Sequence, residues 1–139
     1  MLVALFACTW FVLTSSPPDR FSAASADGNV LVSGAAAASL APLVVTERDE
    51  SVQPLVGRVG SVYEISLGGL ALPRGFLLVV SYDPSSLGST APNHLAIEAF
   101  DRARNAWTAL PSVVDPSAHT VTATSSGTNA TLWTIGIGP

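Results

Sequence analysis

The sequence predicts an all-β protein, a Greek-key β-sandwich of about eight strands preceded by a short apolar N-terminal segment. Two observations carry this prediction. From residue 28 onward, short apolar or alternating runs recur, and clusters of Gly, Pro, Asn, Asp and Ser separate them. The chain has 139 residues, 48% of them hydrophobic and 12% charged, so it can form one domain with a core of its own. Eight strands over about 110 residues match the usual size of such a sandwich.

The first 16 residues form the apolar segment, which opens with the run MLVALFACTWFVL. This run falls short of the ~20 residues that a membrane-spanning helix needs, so it suits the core of a secretory signal or a short uncleaved anchor. Ala24-Ser25-Ala26 offers a small-x-small cleavage site for the signal. Trp10 and Phe11 are then candidate membrane contacts. A third alternative places residues 1–16 in the core of the domain.

Residues 17–28 are rich in Pro, Ser and Ala and are predicted to be a linker, and residues 29–139 are predicted to be the β-sandwich domain. Period-two alternation supports the strands, because Val121 and Ala123 point to one face while the threonines between them point to the other. The predicted strands are 29–33, 43–47, 62–67, 76–82, 95–100, 106–110, 120–125 and 131–137.

The strand at 76–82, FLLVVSY, is apolar on both faces, which predicts a central strand covered on each side. The turn-forming sequence DRARN predicts a hairpin between residues 95–100 and 106–110. DPSAH predicts a second tight turn immediately before residue 120.

The composition limits the classes of partner and cofactor that the chain is expected to bind. The net charge is −4, and no basic stripe interleaves with aromatic residues, so nucleic acid is excluded as a partner. The single cysteine, Cys8, excludes an intrachain disulfide and a Cys-based metal site. No cofactor is predicted. The acidic stretch at 47–50 is either a solvated loop or a Ca²⁺ site completed by backbone carbonyls, and the sequence leaves both open.

Two Ser-His-Asp trios can be assembled from the sequence, but neither comes with a nucleophile elbow of the form G-x-S-x-G. Chains of this size contain such trios by chance, so the protein is predicted not to be an enzyme. The trios are Ser81 with His94 and Asp83, and Ser117 with His119 and Asp115.

Two tryptophans in predicted strands are the candidate partner-binding residues. Trp107 follows the DRARN turn and is predicted to pack against residues 76–82. Trp133 lies in the last strand and is predicted to take an edge position. Whichever ring is exposed would be the candidate binding hot spot.

The order of motifs resembles the ZU-type β-sandwich, the module of zonula occludens proteins, netrin receptors and ankyrins, which has bacterial extracytoplasmic relatives. The matching motifs are VYE, SYDP, an L-x-I strand with an acidic hairpin, W-x-x-L-P-S-x-V-D, TVTA and a last aromatic strand. They cover roughly residues 28 to 138. The resemblance implies a structural or interaction unit rather than an enzyme.

The resemblance also bears on the tripeptide Asn129-Ala130-Thr131. Some family members and related autoprocessing domains cut themselves before the Ser of a His-Phe-Ser turn, and this tripeptide stands at the equivalent position. A Thr hydroxyl needs a base such as His to remove its proton, and Asn cannot serve as one. Autocleavage is therefore predicted to be lost. The tripeptide also has the form of an N-glycosylation acceptor, but the prediction is a plain turn leading into the last strand.

Taken together, the sequence predicts a non-catalytic bacterial module, exported to the periplasm or cell surface, membrane-associated through residues 1–16, and working by protein–protein contact. One alternative is an accessory subunit of a larger membrane complex, held by an uncleaved apolar N-terminus. Another is an extracytoplasmic carbohydrate-binding module or hydrolase. Exposed aromatic rings over a groove would favour carbohydrate, and convergence of a His on a Ser and an Asp would favour a hydrolase.

Overall fold

The computed structural model describes residues 20–35, 42–49, 55–127 and 129–138. Within these ranges the chain forms ten β-strands and two short 3₁₀ helices, Pro84–Leu87 and Pro92–His94. The strands are Arg20–Ala24 (β1), Val30–Ala35 (β2), Leu43–Arg48 (β3), Arg58–Leu67 (β4), Leu77–Ser81 (β5), Leu95–Asp101 (β6), Ala106–Ala109 (β7), Ser112–Asp115 (β8), Thr120–Thr124 (β9) and Leu132–Ile137 (β10).

The strands form two antiparallel sheets of five. The first sheet has the order β1-β2-β5-β9-β8, and the second has the order β3-β4-β10-β6-β7. In both sheets the middle three strands are distant in sequence, because the chain crosses repeatedly from one sheet to the other. This is the Greek-key arrangement of a β-sandwich, so the predicted fold class is confirmed.

Each of the eight predicted strands is present, and two more occur. The 95–100 and 106–110 strands pair as the β6–β7 hairpin, and the DPSAH turn joins β8 to β9. The prediction of a linker over 17–28 is wrong for residues 20–24, which form β1 and pair with β2 from Arg20↔Ala35 to Ala24↔Leu31. Small residues without clear alternation hid this strand from the sequence pattern.

The apolar segment 1–16, with Trp10 and Phe11, lies outside the described residues. Within the part of the chain that the structure describes, no helix is long and apolar enough to cross a membrane.

The core lies between the sheets and is built from alternate residues of each strand. Val121 and Ala123 of β9 point inward and are buried, whereas Thr124 is exposed on the other side, as the alternation predicts. Large side chains fill the centre, and those with almost no exposed surface include Phe76, Ile65, Leu72, Leu78, Ile97 and Trp133.

The predicted edge position of Trp133 is wrong. The last strand, β10, inserts between β4 and β6, so Trp133 pairs with Tyr63 on one side and Ala99 on the other and is only 2% exposed. The insertion is accommodated by a bulge in β4, where the Thr134 hydroxyl donates to the carbonyl of Ser61 at 2.9 Å. Trp133 is therefore a core residue, and its ring is not an exposed aromatic of the kind expected at a binding hot spot.

The predicted contact of Trp107 with residues 76–82 is also wrong. Trp107 lies on the edge strand β7 of the second sheet, whereas residues 77–81 form β5 of the first. Its half-buried ring packs edge-on against Phe100, with ring centroids 5.3 Å apart, on the outer face of the second sheet. Val62 and Leu132 lie beneath this pair. The ring therefore covers a small secondary cluster.

A polar network ties the β1–β2 turn to the second sheet. The Asp27 carboxylate accepts hydrogen bonds from the Ser25 hydroxyl, from the Asn29 backbone and amide groups at 3.1 and 2.9 Å, and from the Tyr63 hydroxyl at 2.6 Å. Partial burial acts to raise the pKa of Asp27, but these hydrogen bonds prevail and lower it to about 2. Burial and the neighbouring carboxylate raise the pKa of Tyr63. The link between the sheets is thus a charged hydrogen bond.

We predict that Trp133→Ala destabilises the protein more than Trp107→Ala does. Loss of the enclosed Trp133 ring leaves a cavity and should cost ~3–5 kcal/mol, whereas loss of the half-buried Trp107 ring should cost about 1–2 kcal/mol. Urea unfolding of both full-length variants measures the difference. Trp133→Phe is the matched control: the indole N–H has no hydrogen-bond partner among the described residues, so Phe should retain most of the stability. Equal losses for the two Ala variants would contradict this ranking.

We predict that the free energy of unfolding decreases in acid because the Asp27 carboxylate becomes protonated. Its folded-state pKa of about 2 lies below the ordinary 3.8, so the unfolded chain takes up the proton first as the pH falls. The stabilisation of the fold by ionised Asp27 is therefore complete above about pH 5 and is lost as the pH falls toward 2. Asp27→Asn should remove about 1 kcal/mol at neutral pH, allowing for solvent screening at this exposed group.

Urea unfolding at a series of pH values from 2 to 7 measures this contribution. The Asp27→Asn profile should be flatter than that of the unmodified chain in the acid range, and Tyr63→Phe, which removes one donor, should flatten it in part. Identical slopes in the unmodified chain and Asp27→Asn would refute a role for Asp27.

Candidate interaction surface

The outer face of the first sheet carries a row of uncharged side chains that runs across all five strands. Strand pairing places Ala24 beside Leu31, Leu31 beside Val79, Val79 beside Thr122, and Thr122 beside Val113. We call these five residues the cross-strand row. Directly paired residues of adjacent strands point to the same face, so the row is continuous.

The row is open to solvent at its large aliphatic side chains. Leu31 is 49% exposed and Val113 is 73% exposed. Leu77, which is the next residue on the same face of β5 and lies two positions before Val79, is 41% exposed. Val79 and Thr122 are half-buried between their neighbours. The prediction that residues 76–82 are covered on both sides is therefore wrong for the outer side: β5 is central in its sheet, but only its inner face is covered within the described chain.

Charge is confined to the margin of this face. A second row beside the first contains only Ser22, Ser33, Leu77 and Thr124. Two charged positions stand at the ends of strands on this face, Arg20 at the start of β1 and Asp115 at the end of β8. A face whose centre lacks charge can lose its water without the large cost of desolvating an ion.

The outer face of the second sheet is different, because the chain covers it with its own side chains. The Arg48 guanidinium pairs with the Glu64 carboxylate, and its Nε donates to that carboxylate at 2.6 Å. Glu98 is buried near Gly136, and burial raises the pKa of its carboxyl group. Together with the cluster under Trp107, these contacts give much of the second sheet a polar or self-covered exterior, although Val44 of β3 is 45% exposed there. The two outer faces are therefore not equivalent.

The tripeptide 129–131 has no geometry for nucleophilic catalysis among the described contacts. Ala130 is buried, and the Thr131 carbonyl accepts from the amide of Ile65 at 2.8 Å. The Thr131 hydroxyl oxygen accepts a hydrogen bond from Arg102 at 3.1 Å. A guanidinium remains protonated at any working pH, so Arg102 cannot take the hydroxyl proton.

The described contacts of the two Ser-His-Asp trios are local. Asp83 caps the 3₁₀ helix Pro84–Leu87 by accepting from the amide and hydroxyl of Ser85 at 2.8 and 2.7 Å. Those hydrogen bonds lower the pKa of Asp83. In the second trio, the Ser117 hydroxyl donates to Asp115 at 2.6 Å, within the same turn.

The histidines are engaged elsewhere. His119 lies edge-on to Tyr82, with ring centroids 5.8 Å apart. The His94 backbone carbonyl accepts from the amide of Gly138 at 2.7 Å. In neither trio do the described hydrogen bonds join a Ser hydroxyl to a His ring, which is the contact that would activate a serine.

Two cavities of about 180 Å³ occur in the described structure. The first lies between the sheets at one end of the sandwich, where β4, the end of β5 and the 3₁₀ helix Pro84–Leu87 meet. The second adjoins the β6–β7 hairpin and includes Asp101 and Arg104. Both are smaller than the roughly 300–1,000 Å³ of pockets that enclose drug-sized ligands. Neither therefore competes with the first-sheet face as a site for a large ligand.

The acidic residues at 47–49 do not converge in the described structure. Glu47 accepts from the Ser61 hydroxyl at 2.6 Å, and Arg48 lies between Glu47 and Asp49 in sequence and pairs with Glu64. Within the described ranges, no group of three or more His, Cys, Asp or Glu side chains is placed to hold a metal ion. Glu50 lies outside those ranges.

Sequence reasoning did not select the residues of the cross-strand row. The local signal is the apolar character of residues 76–82 on both faces, which predicts cover on both sides and gives no sign that one side is open. Val113 was missed because β8 has only four residues, and Ala24 because it lay in the predicted linker.

No protein-family model, curated protein or solved structure matches this chain. The resemblance to ZU-type domains therefore remains a prediction that rests on the short motifs quoted above.

We predict that the purified chain stays whole on long incubation at neutral pH, because the Thr131 hydroxyl accepts from the Arg102 guanidinium and no hydrogen bond of the described residues joins it to a base. Intact mass spectrometry measures this directly. The paired variant Asn129→His with Thr131→Ser tests whether supplying a base and a nucleophile is enough to start cleavage. Fragments 1–130 and 131–139 from the unmodified chain would contradict the prediction and identify Thr131 as the nucleophile.

Proposed function

We propose that this protein is a non-catalytic β-sandwich module that works by protein–protein contact through the outer face of the first sheet. The observation that carries the proposal is the cross-strand row, which presents Leu31, Val79 and Val113 to solvent on a face without central charge. Exposed aliphatic groups gathered on one face of a soluble domain mark interaction sites. The partner that fits is a protein surface that is itself uncharged and apolar at its centre.

The chemistry of the face disfavours the other classes of ligand. Sugars bind to exposed aromatic rings, but the exposed large hydrophobic residues among those described are all aliphatic, and Trp107 is half-buried on the opposite sheet. A membrane surface calls for basic and aromatic side chains, and neither of the two rows on this face supplies them. Nucleic acid would require basic groups as well.

Export belongs to the same proposal. The apolar run within residues 1–16 would direct the chain out of the cytoplasm and keep it at a membrane, with the sandwich held at the surface. In the alternative version, those residues pack among the helices of a larger membrane complex and the module is an accessory subunit. Both versions use the first-sheet face for contact and differ in what holds the N-terminus.

The proposal predicts a site-specific cross-link in the cells that produce the protein. A photoreactive amino acid in place of Val113 should yield a covalent protein adduct, because Val113 would lie at the contact. The same amino acid in place of Val44, which is 45% exposed on β3 of the other sheet, is the matched control and should yield none. Adding Leu31→Asp to the Val113 probe should abolish the adduct by placing a charge in the contact.

Circular dichroism of each variant would establish that the sandwich is still folded. A folded Val113 probe that gives no protein adduct, or an adduct that is equally strong from Val44, would refute the proposed function.

A further inference from the structure

We propose that one end of the sandwich, where β1 begins, lies against a membrane surface that contains anionic lipid. We call it the basic end. The inference deepens the proposed function and rests on it, because it states which part of the exported module faces the membrane. The strand topology, the distribution of the described charges and one exposed leucine carry it.

Strand pairing shows which connections meet at the basic end. β1 starts there with Arg20, and the register places the start of β5 and the end of β9 at the same level. The loop from β4 to β5 reaches this end, because the amide of Gly75 donates to the carbonyl of Ser125, the residue after β9, at 2.9 Å. The β6–β7 turn lies there as well. Its Arg102 donates at 3.1 Å to the hydroxyl of Thr131, on the segment that leads from the end of β9 to β10.

The two connections at the basic end are rich in arginine. Arg74 in the β4–β5 loop is exposed, and so are Arg102 and Arg104 in the β6–β7 turn. The same two connections contain one acid, Asp101, whose carboxylate lies 3.7 Å from the Nε atom of Arg104. Three positive charges therefore stand against one negative charge, and anionic lipid headgroups attract such a surface.

The opposite end of the sandwich is acidic, and we call it the acidic end. Asp27 lies in the β1–β2 turn, Asp83 follows β5, and Asp115 begins the turn from β8 to β9, whereas Arg58 stands at the start of β4. Strands of five residues place the two ends at least ~17 Å apart, about twice the Debye length of ~8 Å at physiological ionic strength. The acids at the far end, which contribute to the net charge of −4, are therefore screened from a surface that the basic end touches.

Leu70, in the same loop as Arg74, adds an exposed apolar group at the basic end. Its side chain is 73% exposed, although the loop is anchored on both sides of it. Leu67 and Leu70 exchange backbone hydrogen bonds at 2.9 and 3.2 Å, and Leu72 is buried in the core. A leucine held in water gains free energy on entering the apolar boundary of a membrane, with the arginine beside it among the phosphates.

The apolar N-terminal run selects lipid as the occupant. β1 begins at Arg20, so residues 17–19 alone separate the sandwich from residues 1–16. The chain from residue 16 to residue 20 spans at most ~14 Å, so a run inserted in a membrane holds the basic end close to the headgroups. Asp19 and Arg20 on this path offset one another in charge. An acidic protein surface would match the arginines too, but it does not account for an exposed leucine at the end that is tethered to this run.

The basic end orients the module rather than holding it. One arginine near an anionic surface raises the affinity about fivefold, so three arginines and one aspartate give a modest net gain and residues 1–16 supply most of the affinity. With this end on the membrane, the strands stand upright. The outer face of the first sheet runs along the strands and stays open at the side, where the cross-strand row can meet a protein partner.

Spin labels on the full-length chain test the orientation. Cys8→Ala removes the native thiol, and Leu70→Cys then places the label at the basic end. Ala118→Cys, at an exposed position in the β8–β9 turn, places it at the acidic end as the matched control. On vesicles of phosphatidylcholine and phosphatidylglycerol, the label at position 70 should be shielded from a water-soluble nickel complex, and the label at position 118 should stay accessible to it. Equal accessibility of the two labels would overturn the inference.

Charge substitutions test the class of lipid. For each full-length chain, the affinity for the mixed vesicles is divided by the affinity for phosphatidylcholine alone, which cancels the contribution of residues 1–16. Arg74→Gln with Arg104→Gln should lower this ratio about 25-fold, or fivefold per arginine. Ala26→Glu with Ala118→Glu makes the same change in net charge at exposed positions of the acidic end and should leave the ratio unchanged. An equal fall in both pairs would mean that the net charge acts rather than the basic end, and would refute the inference.

The outcomes separate this inference from the proposed function. If the label at position 70 stays accessible while the Val113 probe gives its protein adduct in cells, the basic end is not the membrane side and the first-sheet contact stands. If that label is shielded and the Val113 probe gives no adduct, the basic end stands and the proposed contact fails. A photoreactive amino acid in place of Leu70 that captures a protein in cells, with the label accessible on vesicles, identifies a protein as the occupant and refutes lipid binding.

Discussion

The apolar character of β5 on both of its faces constrains the rest of the molecule. Leu78 and Val80 point inward and are buried in the core that the second sheet completes, while Leu77 and Val79 point outward from the same strand. The free energy gained by burying such a strand is greatest when both of its faces are removed from water. The described chain covers only the inner side. The first-sheet face, with its uncharged rows, is a consequence of placing this strand at the centre of an uncovered sheet.

The identity of the strands could be predicted from the sequence, but their order in the sheets could not. Alternation and turn chemistry are local properties, so the eight predicted segments and the β6–β7 hairpin were within reach. The insertion of β10 between β4 and β6 depends on pairing between distant residues, such as Trp133 with Tyr63, and leaves no local signal. Trp133 was therefore assigned to an edge and Trp107 to the core, and the structure reverses both.

The candidate site depends on that order even more strongly. The individual members of the cross-strand row are ordinary residues in the sequence, and Ala24 and Val113 lie far apart along the chain. Only the arrangement β1-β2-β5-β9-β8 brings them into one line and gives the line its sequence of sizes. What could be predicted was that an apolar strand would be central. Which of its two sides would stay open required the positions of all five neighbours.

The two outer faces differ in how far the chain covers their outward side chains. On the second sheet, Trp107 covers Val62 and Leu132 and the Arg48–Glu64 pair lies on the same face, while Val44 is 45% exposed. The core between the sheets is complete without the first-sheet face, and the Asp27–Tyr63 hydrogen bond holds the β1–β2 turn in place.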